Sequence, residues 1–238
     1  MMIIIGTGHI FNVAEPISFI IKNCWPEAVL VELDERRYSA LISPKTEKAD
    51  VSKSFRKAAE YQQKMSEKNG VDYGGDMLST ISSARLIGAE IICIDRDTEQ
   101  VLKELEDEMT FRENIRHIFF NFRDNHFPRR RIDDVRKGFA DKEREYTYKM
   151  RRRFPVFYRK MIDERNSYMV DRIREASERF DKIVIVVGDA HVEGICDALA
   201  DPSIKKIRLV DLLDEGRMSN IRNEIWGGKL TGGPKNEG

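Results

Sequence analysis

Five short apolar runs punctuate the chain: Met2 to Ile5, Ala28 to Val31, Ile91 to Ile94, Ile183 to Val187 and Ile207 to Val210. Most are rich in Ile and Val and continuous rather than alternating, although Arg208 interrupts the last. Runs of this kind mark strands buried on both faces, as in a parallel sheet. Helical spacing fills the intervals. Pro16 suits the first turn of a helix running to about Asn23, where its missing N–H removes no bond. Ser54 to Lys68 is a charged amphipathic stretch of good helix formers. After the break at Gly74-Gly75, Met77, Ile81, Ala84 and Gly88 recur at helical spacing, as do Met169, Ile173, Ala176 and Phe180. Strand and helix alternate at both ends of the chain. The predicted class is therefore α/β, with a central, mainly parallel sheet and flanking helices.

The middle departs from this pattern. Residues 98–181 hold no strand signal and read as helices broken near Pro128 and Pro155, a helical lobe inserted into the sheet domain. From Arg112 to Lys160 there are 16 Lys+Arg against 7 Asp+Glu, a local net of +9 (16 − 7). The whole chain holds 41 of each sign, so the remainder carries −9. Residues 227–238 contain five Gly and one Pro and read as a disordered tail. The expected organisation is one domain over 1–226, with the lobe at about 98–181.

A length of 238 residues suits one large domain. Zero formal net charge disfavours a wholly basic nucleic-acid binder. No apolar stretch reaches the ~20 residues of a membrane helix, and no basic region precedes the first apolar run. Cys24, Cys93 and Cys196 are odd in number, widely spaced and without a CxxC motif. They read as buried thiols in a reducing cytoplasm. Arg129-Arg130-Arg131 and Arg151-Arg152-Arg153 lie among Phe residues, a pattern that can bind single-stranded nucleic acid. Solvated arginines over a Phe core explain it better, so nucleic acid is not an expected partner. His117 and His126 read as surface or packing residues. A homo-oligomer is left open.

Open parallel sheets bind ligands outside the carboxyl ends of their strands. The residues just after each run are polar and titratable: Gly6-Thr7-Gly8-His9, Glu32-Leu33-Asp34-Glu35-Arg36-Arg37, Asp95-Arg96-Asp97, Gly188-Asp189-Ala190-His191, and Asp211. Two of the four His each end a Gly-x-x-His turn after a strand, an echo between the two halves of the chain. Gly6-Thr7-Gly8 lacks the third glycine of a dinucleotide fingerprint, because Phe11 stands there. A helix feeding a parallel strand begins at the carboxyl edge, which brings Arg165 and Asn166 beside His191, and Gly75-Asp76-Met77 towards Asp95. Arg165 shares the inward stripe of Met169 and Ile173, so it requires a carboxylate partner among Glu32, Asp34 and Asp95. Glu32, at the end of its strand, is expected to face the pocket, and Glu35 to turn away.

These segments, in order, are Gly6-Thr7-Gly8-His9, Val31-Glu32-Leu33-Asp34-Glu35-Arg36-Arg37-Tyr38, Gly75-Asp76-Met77, Ile94-Asp95-Arg96-Asp97, Glu164-Arg165-Asn166 with Tyr168-Met169, and Val187-Gly188-Asp189-Ala190-His191-Val192-Glu193-Gly194-Ile195. Together they resemble the TraB/PrgY pheromone-shutdown family, which groups with TIKI-type proteases and GumN proteins and, more distantly, with erythromycin esterase and ChaN. The first turn is GTGH where GTAH is usual, and the second is GDAH where GAGH is common. Asp76 stands in place of a glutamate. Many members also carry a C-terminal membrane region. The resemblance implies an α/β fold with two related halves, and metal-dependent hydrolysis with roles falling on His9, His191 and Glu32. Arg165 would support them.

The expectation is a metal-dependent hydrolase of peptides or other small amides or esters. His9, His191 and Glu32 would hold a divalent ion (Mn, Co, Fe or Zn) and Glu32 would serve as ligand or general base. Asp34, Asp76 and Asp95 are candidates for orienting the histidines, and Arg37 and Asn166 for supporting the site or binding substrate. Arg165 is a candidate for binding a substrate carboxylate or an oxyanion. The alternative is a protein that captures a peptide or anion in the same pocket without turnover.

Overall fold

A computed structural model describes residues 1–8, 11–43, 74–109 and 143–228. Five parallel strands form one sheet in the order β3-β2-β4-β1-β5: β1 (Met2–Thr7), β2 (Ala28–Val31), β3 (Glu90–Cys93), β4 (Ile183–Gly188) and β5 (Lys205–Ile207). β4 lies between β1 and β2, with Ile4 level with Ile185 and Leu30 level with the same residue. The expected class holds.

Side-chain alternation along the strands sorts the core into two layers. Ile3, Ile5, Val29, Val31, Val184 and Val186 face one way and pack with α1 (Ala14–Cys24), α3 (Gly75–Ile87) and α10 (Glu215–Trp226). Ile4, Leu30, Ile183, Ile185 and Val187 face the other way, onto α7 (Glu164–Ser177) and α8 (Asp189–Leu199). With both faces covered, nothing favours a polar residue within a strand, which explains the unbroken Ile/Val runs. α2 (Glu35–Ile42) and α4 (Thr98–Glu108) continue from the carboxyl ends of β2 and β3.

One strand assignment is corrected. The sequence places a strand over Ile207 to Val210, but β5 ends at Ile207 and Leu209–Leu213 forms the short helix α9. Arg208 caps that helix: its backbone N–H donates to Asp211 Oδ2 at 2.8 Å, and the Asp211 N–H returns to the Arg208 carbonyl at 2.9 Å. Asp211 is thus a capping residue, not a strand-end acid.

In the middle of the chain the described residues are helical, as expected. α5 (Glu143–Arg153) stops before Phe154, and α6 (Pro155–Tyr158) restarts at Pro155. A π-helical turn (Arg159–Asp163) then joins α6 to α7. Pro128, His117, His126, the Arg129-Arg130-Arg131 cluster and the Ser54 to Lys68 helix lie outside the described residues, as does most of the tail.

Candidate functional site

All five strands run the same way, so their carboxyl ends share one edge, and the predicted polar residues converge there. Glu32 follows β2 directly and is 6% exposed. Its Oε2 accepts the Gly188 N–H at the end of β4, and its Oε1 accepts Arg165 Nη2. A Cβ at position 188 would lie 3.1 Å from Glu32 Oε2, so glycine there leaves room for the carboxylate. Glu35, three residues on, is exposed on α2, as expected.

Arg165, in the first turn of α7, is 8% exposed and lies with Met169 and Ile173 on the buried face. Its Nε donates to Asp95 Oδ1 at 2.9 Å and its Nη2 to Asp95 Oδ2 at 2.7 Å, a two-pronged grip. Its Nη1 donates to the Met161 carbonyl on the π-helical turn at 3.1 Å and lies 3.3 Å from His191 Nε2. The required partners are therefore Asp95 and Glu32; Asp34 is not one. Burial alone would lower the Arg165 pKa, but the two carboxylates outweigh it and push it up, so the guanidinium stays charged. Every nitrogen of Arg165 is engaged, which makes it an anchor for the acids.

His191 sits in the first turn of α8, 3% exposed. Its Nδ1 lies 2.6 Å from Asn166 Oδ1, an acceptor only, so Nδ1 carries the hydrogen. That leaves the Nε2 lone pair to accept from Arg165 Nη1, with Glu32 Oε1 3.4 Å away. Gly194 makes room for this arrangement, because a Cβ there would overlap Asn166 Nδ2. Asn166, rather than Asp34, Asp76 or Asp95, orients the histidine.

None of those three acids contacts the His191 ring, and each makes other contacts. Asp34 caps α2 through the Arg37 N–H at 2.8 Å and ties it to α4 through Thr98 N (3.2 Å) and Oγ1 (3.0 Å). Asp95 holds Arg165. Asp76, in the first turn of α3, accepts the Thr7 hydroxyl at the end of β1. Arg37 Nη1 reaches Asp95 Oδ2 and the Glu32 carbonyl at 3.4 Å each, and Thr98 Oγ1 at 3.3 Å.

His9 lies outside the described residues. The strand ahead of it is β1, neighbour of β4, with Thr7 level with Gly188, so the two Gly-x-x-His segments start side by side. Among the described residues no group of three His, Cys, Asp or Glu side chains converges as a metal site. The three thiols are buried, and burial is the main force raising Cys24 and Cys196 to about 11 and Cys93 to about 12. None is primed as a nucleophile.

Asp189, which the sequence places at the carboxyl edge without a role, is a structural acid. It is 3% exposed and accepts Arg208 Nε at 2.9 Å, Arg208 Nη2 at 2.8 Å and the Leu209 N–H at 2.8 Å. A Cβ at Gly6 would overlap its Oδ1. The two glycine turns therefore interlock: Gly6 of the first admits the acid of the second. The available signal was a buried-looking Asp two residues before His191 and an Arg at the end of a strand.

A three-layer α/β protein with acids, an imidazole and an anchoring guanidinium at one sheet edge is the architecture the chain defines. Residues 1–205 match the TraB/PrgY/gumN family, and the chain belongs to that family. It is similar to "Uncharacterized protein MJ1365" of Methanocaldococcus jannaschii, 33% identical over 205 residues, covering 81% of this chain and 51% of that protein. The chain thus spans about half the length of the curated relative it matches.

Proposed function

We propose that the chain is a metal-dependent hydrolase of peptides or other small amides or esters. The observation that carries this reading is the pairing of His191 Nε2 with Glu32 Oε1 at 3.4 Å, the imidazole being fixed by Asn166 on its far side. Two ligands on one ion, each bound at about 2.1 Å, lie about 3.0–3.4 Å apart, so the spacing of the two atoms suits one divalent cation, which would take the place of the Arg165 Nη1 contact with His191. A third ligand is required, and His9 is the family's candidate. When bound, Mn, Co, Fe or Zn would lower the pKa of a coordinated water towards ~7 and polarise a carbonyl.

The chain's own residues prepare that chemistry. Asn166 selects the tautomer that puts the lone pair of His191 on Nε2, the atom that would donate to a metal and that now faces Arg165 Nη1. Arg165 and the Gly188 N–H hold and aim the Glu32 carboxyl, so it serves as ligand or as proton acceptor from water. Asp95 holds Arg165 in register.

Hydrolysis of a mixed peptide library, with and without chelator, tests the reading. Cleavage that disappears with chelator, returns with added Mn or Zn and falls at least about 100-fold in Glu32→Gln is expected. Cleavage indifferent to chelator contradicts the metal, and tight peptide binding without any cleavage replaces the hydrolase by a sequestering protein.

A further inference from the structure

We infer that Arg37 is the substrate-carboxylate receptor of this site, so that the hydrolase takes anionic peptides; the inference rests on the hydrolase reading for the identity of the ligand as a substrate. Arg165 and Arg37 flank the same carboxylate, Asp95, but are differently occupied. Arg165 has a side chain 9% exposed, and each of its nitrogens has a partner. Arg37 is 23% exposed at its side chain, so water and solutes reach it.

All three side-chain contacts of Arg37 run through one nitrogen, Nη1, at 3.3–3.4 Å. Those distances are long for charge-assisted bonds, which run at about 2.7–2.9 Å. Two of the acceptors are uncharged, the Glu32 carbonyl and the Thr98 hydroxyl. The third, Asp95 Oδ2, already takes Arg165 Nη2 at 2.7 Å. Among the described residues nothing accepts from Arg37 Nε or Nη2.

The neighbouring acids do not take up this capacity. Both oxygens of Asp34 are held by backbone and hydroxyl donors, namely Arg37 N, Thr98 N and Thr98 Oγ1. Both oxygens of Asp95 face Arg165, and Oδ1 also accepts the Arg96 N–H. Arg37 therefore offers the Nε/Nη2 edge of a planar guanidinium, the shape that grips a carboxylate with two parallel bonds. It stands on the first turn of α2, beside the backbone of Glu32. A peptide bound there places its chain along the carboxyl edge towards Glu32 and His191. Either a C-terminal carboxylate or an Asp or Glu side chain supplies the same group.

The test compares three peptide series of one core sequence lacking other acids: free C-terminus, amidated C-terminus, and amidated with one added Glu. Binding is read by calorimetry on the full chain, and cleavage is read separately on the same peptides. The wild type is expected to bind the free acids about 10- to 100-fold tighter than the amides, the span of a charge-assisted hydrogen-bond pair. If a side-chain carboxylate is the group recognised, the Glu series shows the preference instead. Arg37→Gln should erase the preference and Arg37→Lys should restore part of it. The ratio within each variant is independent of how much protein folds. Equal affinity for all three series, no binding of any at millimolar concentration, or a preference that survives Arg37→Gln overturns the inference. Acid-selective binding without cleavage would sink the hydrolase reading and leave the receptor standing; unselective cleavage would do the reverse.

Discussion

Lys160 and Arg165 lie on one continuous helical run and are buried alike, 6% and 8% exposed, yet their surroundings are opposite. Lys160 Nζ points to the rim, within 3.2 Å of Glu104, 2.7 Å of Glu108 and 3.0 Å of Glu164, acids whose side chains are 28–41% exposed. Arg165 points under the sheet edge, to Glu32 and Asp95, at 7% and 0%. A compact ammonium suits three mobile glutamates that can turn to water without it. A planar guanidinium suits two acids fixed at strand ends. Equal burial of a cation thus says little about its role; the burial of its partners decides it. The first cation ties α4 to the helix on which the chain returns, and the second holds the acid of the candidate site.

The largest expected effect separates the two. Arg165→Met removes the main cation of two buried carboxylates, Glu32 and Asp95, and should lower unfolding free energy by about 3–5 kcal/mol, measured by urea denaturation. A loss under 1 kcal/mol would mean that the acids are not held by Arg165. Next comes Gly6→Ala, which forces the Asp189 carboxylate out of its place and should lower stability by about 1–3 kcal/mol, as overpacking does; combining it with Asp189→Ala should recover part of that loss.

Lys160→Met should lower stability by only about 1 kcal/mol, because its glutamates regain water. A loss equal to that of Arg165→Met would erase the contrast. The smallest effect is in acid. Hydrogen bonding from Lys160 leads in lowering Glu108 below the usual 4.5; Glu104, which its slight burial would raise, is brought down by Lys160 and Arg96. Their contribution is complete above that value and is lost as pH falls through the lower folded values. Thermal melts between pH 6 and 3 should therefore show a smaller acid-induced drop in Lys160→Met than in the wild type.

The comparison also shows what a sequence can reveal. Ile3 to Ile5 and Ile183 to Val187 are legible because strands covered on both faces must be apolar throughout. Leu209-Val210 misled for the same reason: a short apolar run starts a buried helix as readily as it continues a strand, and only the Arg208–Asp211 cap decides. Arg165 was legible from its inward stripe, and its partners came from the three strand-end acids. Asp34 dropped out because it caps its own helix, a local bond that competes with any distant one. Asp189, Gly6 and Gly194 were silent, since their meaning is a volume shared between segments far apart in the chain. Lys160 was silent because its burial depends on glutamates presented by α4 across a π-helical turn.

His191 and Glu32 are proposed to act together on one divalent ion. Calorimetric titration of chelator-treated protein with Mn²⁺ tests it most directly. One ion per chain is expected in the wild type, with affinity reduced by more than about 100-fold in His191→Ala and in Glu32→Gln, and by about 10- to 100-fold in Asn166→Ala, which only orients the ligand. Binding of one Mn²⁺ with unchanged affinity in both His191→Ala and Glu32→Gln would contradict it.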